Sequence, residues 1–159
     1  MSTQCVAAPV RTSIVVEAPR ERAFEVFTAD IGSWWPADKH ILRGELAEMV
    51  FEPQVGGSII DRAVDGSESR WARVLAYEPP DRVVFSWDIG LRWEIETDTA
   101  RCSEVEVRFI AEGDARTRVE LEHRALERHG DGWEAMRDAV ASPNGWGDGL
   151  GAFAAHVAG

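Results

Sequence analysis

Through the middle of the chain hydrophobic and polar residues alternate with a period of two, and helical spacing appears only near the two ends. Residues 10–17 (VRTSIVVE) are rich in β-branched side chains and read as a first strand. Ala18-Pro19 breaks it. Pro19 suits the start of a helix, and residues 20–28 carry Ala23, Phe24, Val26 and Phe27 at near-helical intervals. Asp30 is placed to cap a second short helix through Ile31, Trp34 and Trp35, closed by Pro36.

Six further strands follow at hairpin spacing. The first, 44–53, sets Ala47, Met49 and Phe51 against Leu46, Glu48 and Val50. Gly56-Gly57 turns into SIIDRAV, and Asp65-Gly66 is a tight-turn signal leading to 69–77. On that strand, alternation groups Trp71 with Arg73 and Leu75. Residues 82–89 align Val83, Phe85, Trp87 and Ile89. Residues 104–111 align Val105, Val107 and Phe109, and 117–125 align Val119, Leu121 and His123. One sheet face is therefore dry and must be covered. The cover is the last segment, 132–157, with Trp133, Met136, Val140, Trp146, Leu150, Phe153 and Val157 close to helical spacing. Ser142-Pro143-Asn144-Gly145 interrupts it, giving two helical pieces or one helix with a bent entry. The expectation is an α+β fold of one domain, residues 10–159, after a loose tail over 1–9.

Composition and charge narrow the partners. A formal net charge of −11 and a single lysine, Lys39, leave no clustered cation surface for nucleic acid or anionic lipid. No segment has the length and apolarity of a membrane span or a signal peptide, so the expected location is cytoplasmic. Cys5 and Cys102 form no CxxC pair and no Cys/His cluster; neither a metal nor a cofactor is expected. Seven Trp beside one Tyr is the unusual feature. So many indoles must either pack tightly or line a cavity.

Candidate chemistry follows from the inward faces. Trp35, Met49, Phe51, Trp71, Phe85, Trp87, His123, Trp146 and Phe153 are the candidate lining of an apolar ligand site. Trp34 and Trp35, with Phe24 and Phe27, would form a gate at one end of it, or else plug the core. Trp93 would join the lining if it faced inward. His123 shares its face with Val119 and Leu121 and is the best-placed histidine; His129, in a Gly-containing loop, is expected at the surface. Asp61, Glu48 and Arg73 are candidates for a polar group orienting a ligand, with Glu48 on the wet face.

Taken in order, six segments resemble one family. They are APRERAFEVFT (18–28), SWWPADKH (33–40), VGGSIIDRAVDGSES (55–69), WARVLAYEPPDRVVFSW (71–87), EVEVRFIAEGDARTRVELEHRAL (104–126) and GWGDGLGAF (145–153). Together they resemble the START-like (SRPBCC) superfamily and, within it, homologues of the activator of the heat-shock protein 90 ATPase. The resemblance implies the helix-grip fold: a curved antiparallel sheet wrapped around a long C-terminal helix, with two short helices after the first strand. Members of the superfamily bind lipids, hormones or polyketides, catalyse reactions in the cavity, or bind a protein partner.

Three functions stand open at this point. The first is binding of a small apolar or aromatic molecule between sheet and helix. The second is a protein-interaction module related to chaperone ATPase activators, with a chaperone as partner; a homodimer is compatible with any of the three readings. The third is an enzyme acting on an aromatic or polyketide-like substrate, with His123 or a cavity carboxylate as base.

Overall fold

The computed structural model of the protein describes residues 9–36 and 45–158. The tail expected over 1–9, except Pro9, lies outside them, as do Cys5, Lys39 and His40. Seven strands form one antiparallel sheet: β1 (Val10–Val16), β2 (Leu46–Phe51), β3 (Ser58–Ala63), β4 (Glu68–Glu78), β5 (Arg82–Trp87), β6 (Ser103–Ala111) and β7 (Thr117–Arg124). Their spatial order is β1-β7-β6-β5-β4-β3-β2, so the first strand returns beside the last. Helices α1 (Arg20–Thr28) and α2 (Ile31–Trp34) follow β1; α3 (Trp133–Ala141) and α4 (Asp148–Ala158) end the chain. Curved sheet and long C-terminal helix together make the helix-grip fold.

The alternation read from the sequence sets the sheet's faces. Val83, Phe85 and Trp87 of β5, Val105, Val107 and Phe109 of β6, and Val119 and Leu121 of β7 join one buried core. Each such buried side chain contributes about 1.5–3 kcal/mol relative to exposure. Helix α4 adds Leu150, Phe153 and Val157, and packs against α1, α2 and β1. The outer face is an ionic lattice. Arg82, Arg108 and Arg124 all donate to Glu106. Burial pushes the Glu106 carboxyl up, but the three guanidinium groups outweigh it and hold the group down to about 2.

Strand β4 departs from simple alternation. Ile59 pairs with Ala72 and Ile60 with Arg70, leaving Trp71 as the extra residue of a bulge. The bulge lets Trp71 and Ala72 both face the core and turns Arg73 outward, so Trp71 does not share its face with Arg73 and Leu75 as alternation predicts. Arg73 instead makes a two-pronged pair with Asp88, Nε to Oδ2 at 2.9 Å and Nη2 to Oδ1 at 3.1 Å.

The interruption at 142–147 produces two helical pieces joined by a wide turn. Gly145 sits there with non-helical φ −93° and ψ −122°. A Cβ on it would lie 2.3 Å from the Val140 carbonyl oxygen, so only glycine fits. This turn delivers the next residue, Trp146, into the core.

Candidate functional site

Two consecutive tryptophans differ in backbone and burial, though their ring centroids stay 5.6 Å apart. The residue before a proline is driven toward extended backbone. Trp35, before Pro36, accordingly leaves α2 at φ −60°, ψ 128°. Trp34 stays helical and buried, and its indole N–H donates to the Val26 carbonyl at 2.8 Å. Its ring belongs to a phenylalanine cluster, 5.0 Å from Phe27 and 5.3 Å from Phe153. Phe24 and Phe27 complete that cluster through Phe109, so these two and Trp34 are core plugs and not a gate.

Trp35 links that cluster, through Trp34, to a second group of rings. Its ring centroid lies 5.1 Å from Trp71 and 5.9 Å from Trp146. Trp87 lies 5.8 Å from Trp71, 5.6 Å from Trp146 and 5.1 Å from His123. Phe85 closes on Trp71 at 6.2 Å. Four indoles from α2's end, β4, β5 and the turn before α4 thus meet around one point. Trp71, Trp87 and Trp146 are buried, whereas Trp35 and the neighbouring Met49 are half-buried. The cluster reaches solvent on the side of Trp35 and Met49. Of the predicted lining, Phe51 and Phe153 fall elsewhere. Phe51 packs at 6.4 Å from Tyr77, and Phe153 stands between Phe27 and Trp34. Trp93 is 48% exposed on a loop and does not join the lining.

The polar groups of this cluster are few and mostly bonded. Asp61, which pairs with Met49 across β2 and β3, is buried and accepts the Trp71 indole N–H at 3.1 Å. The Trp146 indole N–H donates to His123 Nδ1 at 3.1 Å. An indole can only donate, so His123 Nδ1 carries no proton and Nε2 does. Nε2–H therefore donates to Ser103 Oγ at 2.8 Å. Ser103 in turn gives its own proton to His129 Nε2 at 2.7 Å. The result is a directional chain, Trp146 to His123 to Ser103 to His129, buried along its length. Burial pushes His123 down to about 3, with His129 adding to the effect. Burial lowers His129 as well.

His129 is 2% exposed, against the surface position expected from its loop. The short turn Leu126–His129 tucks it under the sheet end, where Arg101 Nη2 holds its carbonyl at 3.2 Å. His123 has both ring nitrogens engaged and is not a free base. Ser103 was not a candidate, although it continues the inward series of Val105, Val107 and Phe109 by one step. Glu48 is exposed. Cys102 is pushed up to about 12, chiefly by burial and then by Asp88, so its thiol keeps its proton.

A depression on the outer face is lined by Arg11, Thr12, Ser13, Glu106, Arg108, Glu120, Leu121, Glu122 and Arg124. Its cations already serve carboxylates, as in Arg11 to Glu122 at 2.9 Å and Arg124 to Glu122 at 3.4 Å. Among the described residues no helix is long and apolar enough to cross a membrane.

Comparison with known proteins places this geometry. The family described as Activator of Hsp90 ATPase homolog 1-like protein matches residues 17–158. Among solved structures, the anthrahydroquino-γ-pyrone synthase Txn09 is 40% identical, with a TM-score of 0.67 over 96% of this chain and 97% of that one. The self-sacrificing resistance protein CalC of Micromonospora echinospora is 25% identical, with a TM-score of 0.66 over 94% of each chain. Protein NE0264 of Nitrosomonas europaea, at 10% identity and a TM-score of 0.65 over 94% of each chain, shares the fold. Among curated proteins none matches.

Proposed function

This chain belongs to the family of Activator of Hsp90 ATPase homolog 1-like proteins, and from that premise we propose that it holds a flat, fused-ring aromatic molecule against Trp35, Trp71, Trp87 and Trp146. The observation that carries this reading is the meeting of four indoles from four separate elements, with a half-buried edge at Trp35 and Met49. Aromatic faces and edges complement a planar ring system better than a flexible chain. Phe85 and His123 back the same wall, while Phe51 and Phe153 would touch only a ligand long enough to reach the phenylalanine cluster. The likeness to a pyrone synthase, whose name describes a fused-ring product, supports the same ligand class. Titration of the intrinsic tryptophan fluorescence tests it. Anthraquinone-2-carboxylate is expected to quench with a dissociation constant on the order of micromolar, and palmitate to bind far more weakly. Palmitate binding as tightly as the quinone would count against it.

A second reading is ring-closing chemistry on that ligand. Asp61 favours it, being a buried carboxylate that β3 turns inward beside Trp71. With His123 engaged at both nitrogens, the base in this reading is Asp61. Turnover of an ortho-hydroxyaryl 1,3-diketone to a pyrone, in which the phenol oxygen attacks the distal carbonyl and water leaves, is followed by mass spectrometry and tests this. Activity that survives Asp61→Asn would remove Asp61 from the role.

A further inference from the structure

The indole N–H groups around the cluster are unevenly served. Trp34 donates to Val26, Trp71 to Asp61 and Trp146 to His123. Trp87 Nε1 is buried and has no acceptor among the described residues. The residue is 6% exposed, so bulk water does not stand in for one. A buried donor without a partner is rare in native proteins and points to a missing acceptor.

None of the described neighbours of Trp87 supplies that acceptor. Trp71 and Trp146 are donors only. His123, the third ring in contact, has its one acceptor nitrogen committed to Trp146 and its other nitrogen carrying a proton toward Ser103. The carboxylate of Asp61 accepts from Trp71 and makes no bond to Trp87 Nε1. None of these groups makes a hydrogen bond to Trp87 Nε1 in the structure.

We infer that Trp87 Nε1 is the donor that fixes an acceptor oxygen of the ligand, and that the ligand is an oxygenated fused-ring arene bearing a ring ketone or quinone carbonyl and not a plain aromatic hydrocarbon. The inference rests on the proposed aromatic site and sharpens it. Trp71 and Trp146 supply apolar surface while their N–H groups are held by protein partners; Trp87 keeps its N–H for the bound molecule. Such an arrangement fixes which edge of the ring system enters first. The carbonyl edge goes in, and the rest of the molecule extends toward Trp35 and Met49. A site with one unpaired buried donor discriminates against a ligand lacking the matching acceptor, because that donor then stays unsatisfied.

Two matched probes test it by calorimetry on the whole protein: anthraquinone-2-carboxylate, and anthracene-2-carboxylate, which lacks only the ring carbonyls. The wild-type protein is expected to prefer the quinone by about tenfold, the worth of one such hydrogen bond. Trp87→Phe keeps an aromatic ring and removes the N–H; it is expected to bind the two probes equally. Equal binding of both probes by the wild type, as when an ordered water serves Trp87, overturns the inference while leaving the aromatic site standing. So does a quinone preference that survives Trp87→Phe. Failure of both probes to bind the wild type removes the aromatic site and this donor with it. Should the variant not fold, the Trp87 indole proton in the wild type decides. It must move downfield with the quinone and not with the anthracene, and identical shifts overturn the inference.

Discussion

The indole N–H of Trp146 donates to Nδ1 of His123 at 3.1 Å, and this one bond dictates the proton positions behind it. With Nδ1 fixed as acceptor, His123 is neutral, Ser103 must accept from it, and the Ser103 proton is left for His129. The chain ends at His129 Nδ1, which is buried without a partner among the described residues. The consequence for function is mechanical. His123 holds the Trp146 ring in place, and both its ring nitrogens are engaged within the protein.

Replacing Ser103 by alanine removes the middle of this chain. It leaves His123 Nε2–H and His129 Nε2 buried without partners. A loss of about 2–4 kcal/mol is expected, since each unsatisfied buried group costs about 1–3 kcal/mol. Urea unfolding at neutral pH measures it. A loss near zero would mean the chain does not exist in solution.

Stability should fall in mild acid. Burial holds native His123 down to about 3 from an ordinary 6.5, so in that interval the unfolded chain binds a proton that the native state refuses. Stability is therefore complete above 6.5 and declines as the pH drops toward 3. The slope is about 1.4 kcal/mol per pH unit for one proton. His129 is lowered in the same direction and steepens the upper part of the decline. His129→Gln should reduce the slope below pH 6.5, read from denaturation midpoints across pH. An unchanged slope would show that His129 titrates normally in the native protein.

Gly145 controls where Trp146 goes. Alanine there drives a Cβ to 2.3 Å from the Val140 carbonyl oxygen, and the turn must open. Gly145→Ala is expected to cost about 1–3 kcal/mol and to weaken the near-ultraviolet circular dichroism of the packed indoles. Retention of both would contradict the role given to this turn.

Trp34 and Trp35 should separate stability from binding. Trp34→Ala empties a buried core position and should cost about 3–5 kcal/mol. Trp35→Ala removes a half-buried ring and should cost no more than about 2 kcal/mol, while weakening the arene titration at least tenfold. Melting curves and fluorescence titrations on the two variants check this. The reverse pattern would move the site toward Trp34.

Much of the fold was legible because the sheet obeys a two-residue period wherever one face is dry. Val83, Phe85, Trp87 and Val119, Leu121, His123 sit where their alternation puts them. Strand β4 was not legible in this way. A bulge inserts one residue and flips the faces beyond it, and neither Trp71 nor Ala72 carries a glycine-like mark of it. Trp71 came into the site by its size, not by its predicted face. His129 was missed because loop residues are usually wet, and only the packing of its turn under the sheet hides it. The Trp34/Trp35 split had a readable cause in Pro36, which bends the chain between two identical side chains.

The most direct measurement is a proton–nitrogen correlation spectrum of the indole N–H groups during titration with anthraquinone-2-carboxylate. All seven tryptophans report at once. Binding at the aromatic cluster should shift Trp35, Trp71, Trp87 and Trp146 together and leave Trp93, on its exposed loop, and Trp133, stacked under Arg137, unmoved. Shifts confined to Trp93 or Trp133 would place the ligand on the surface and contradict the interior site.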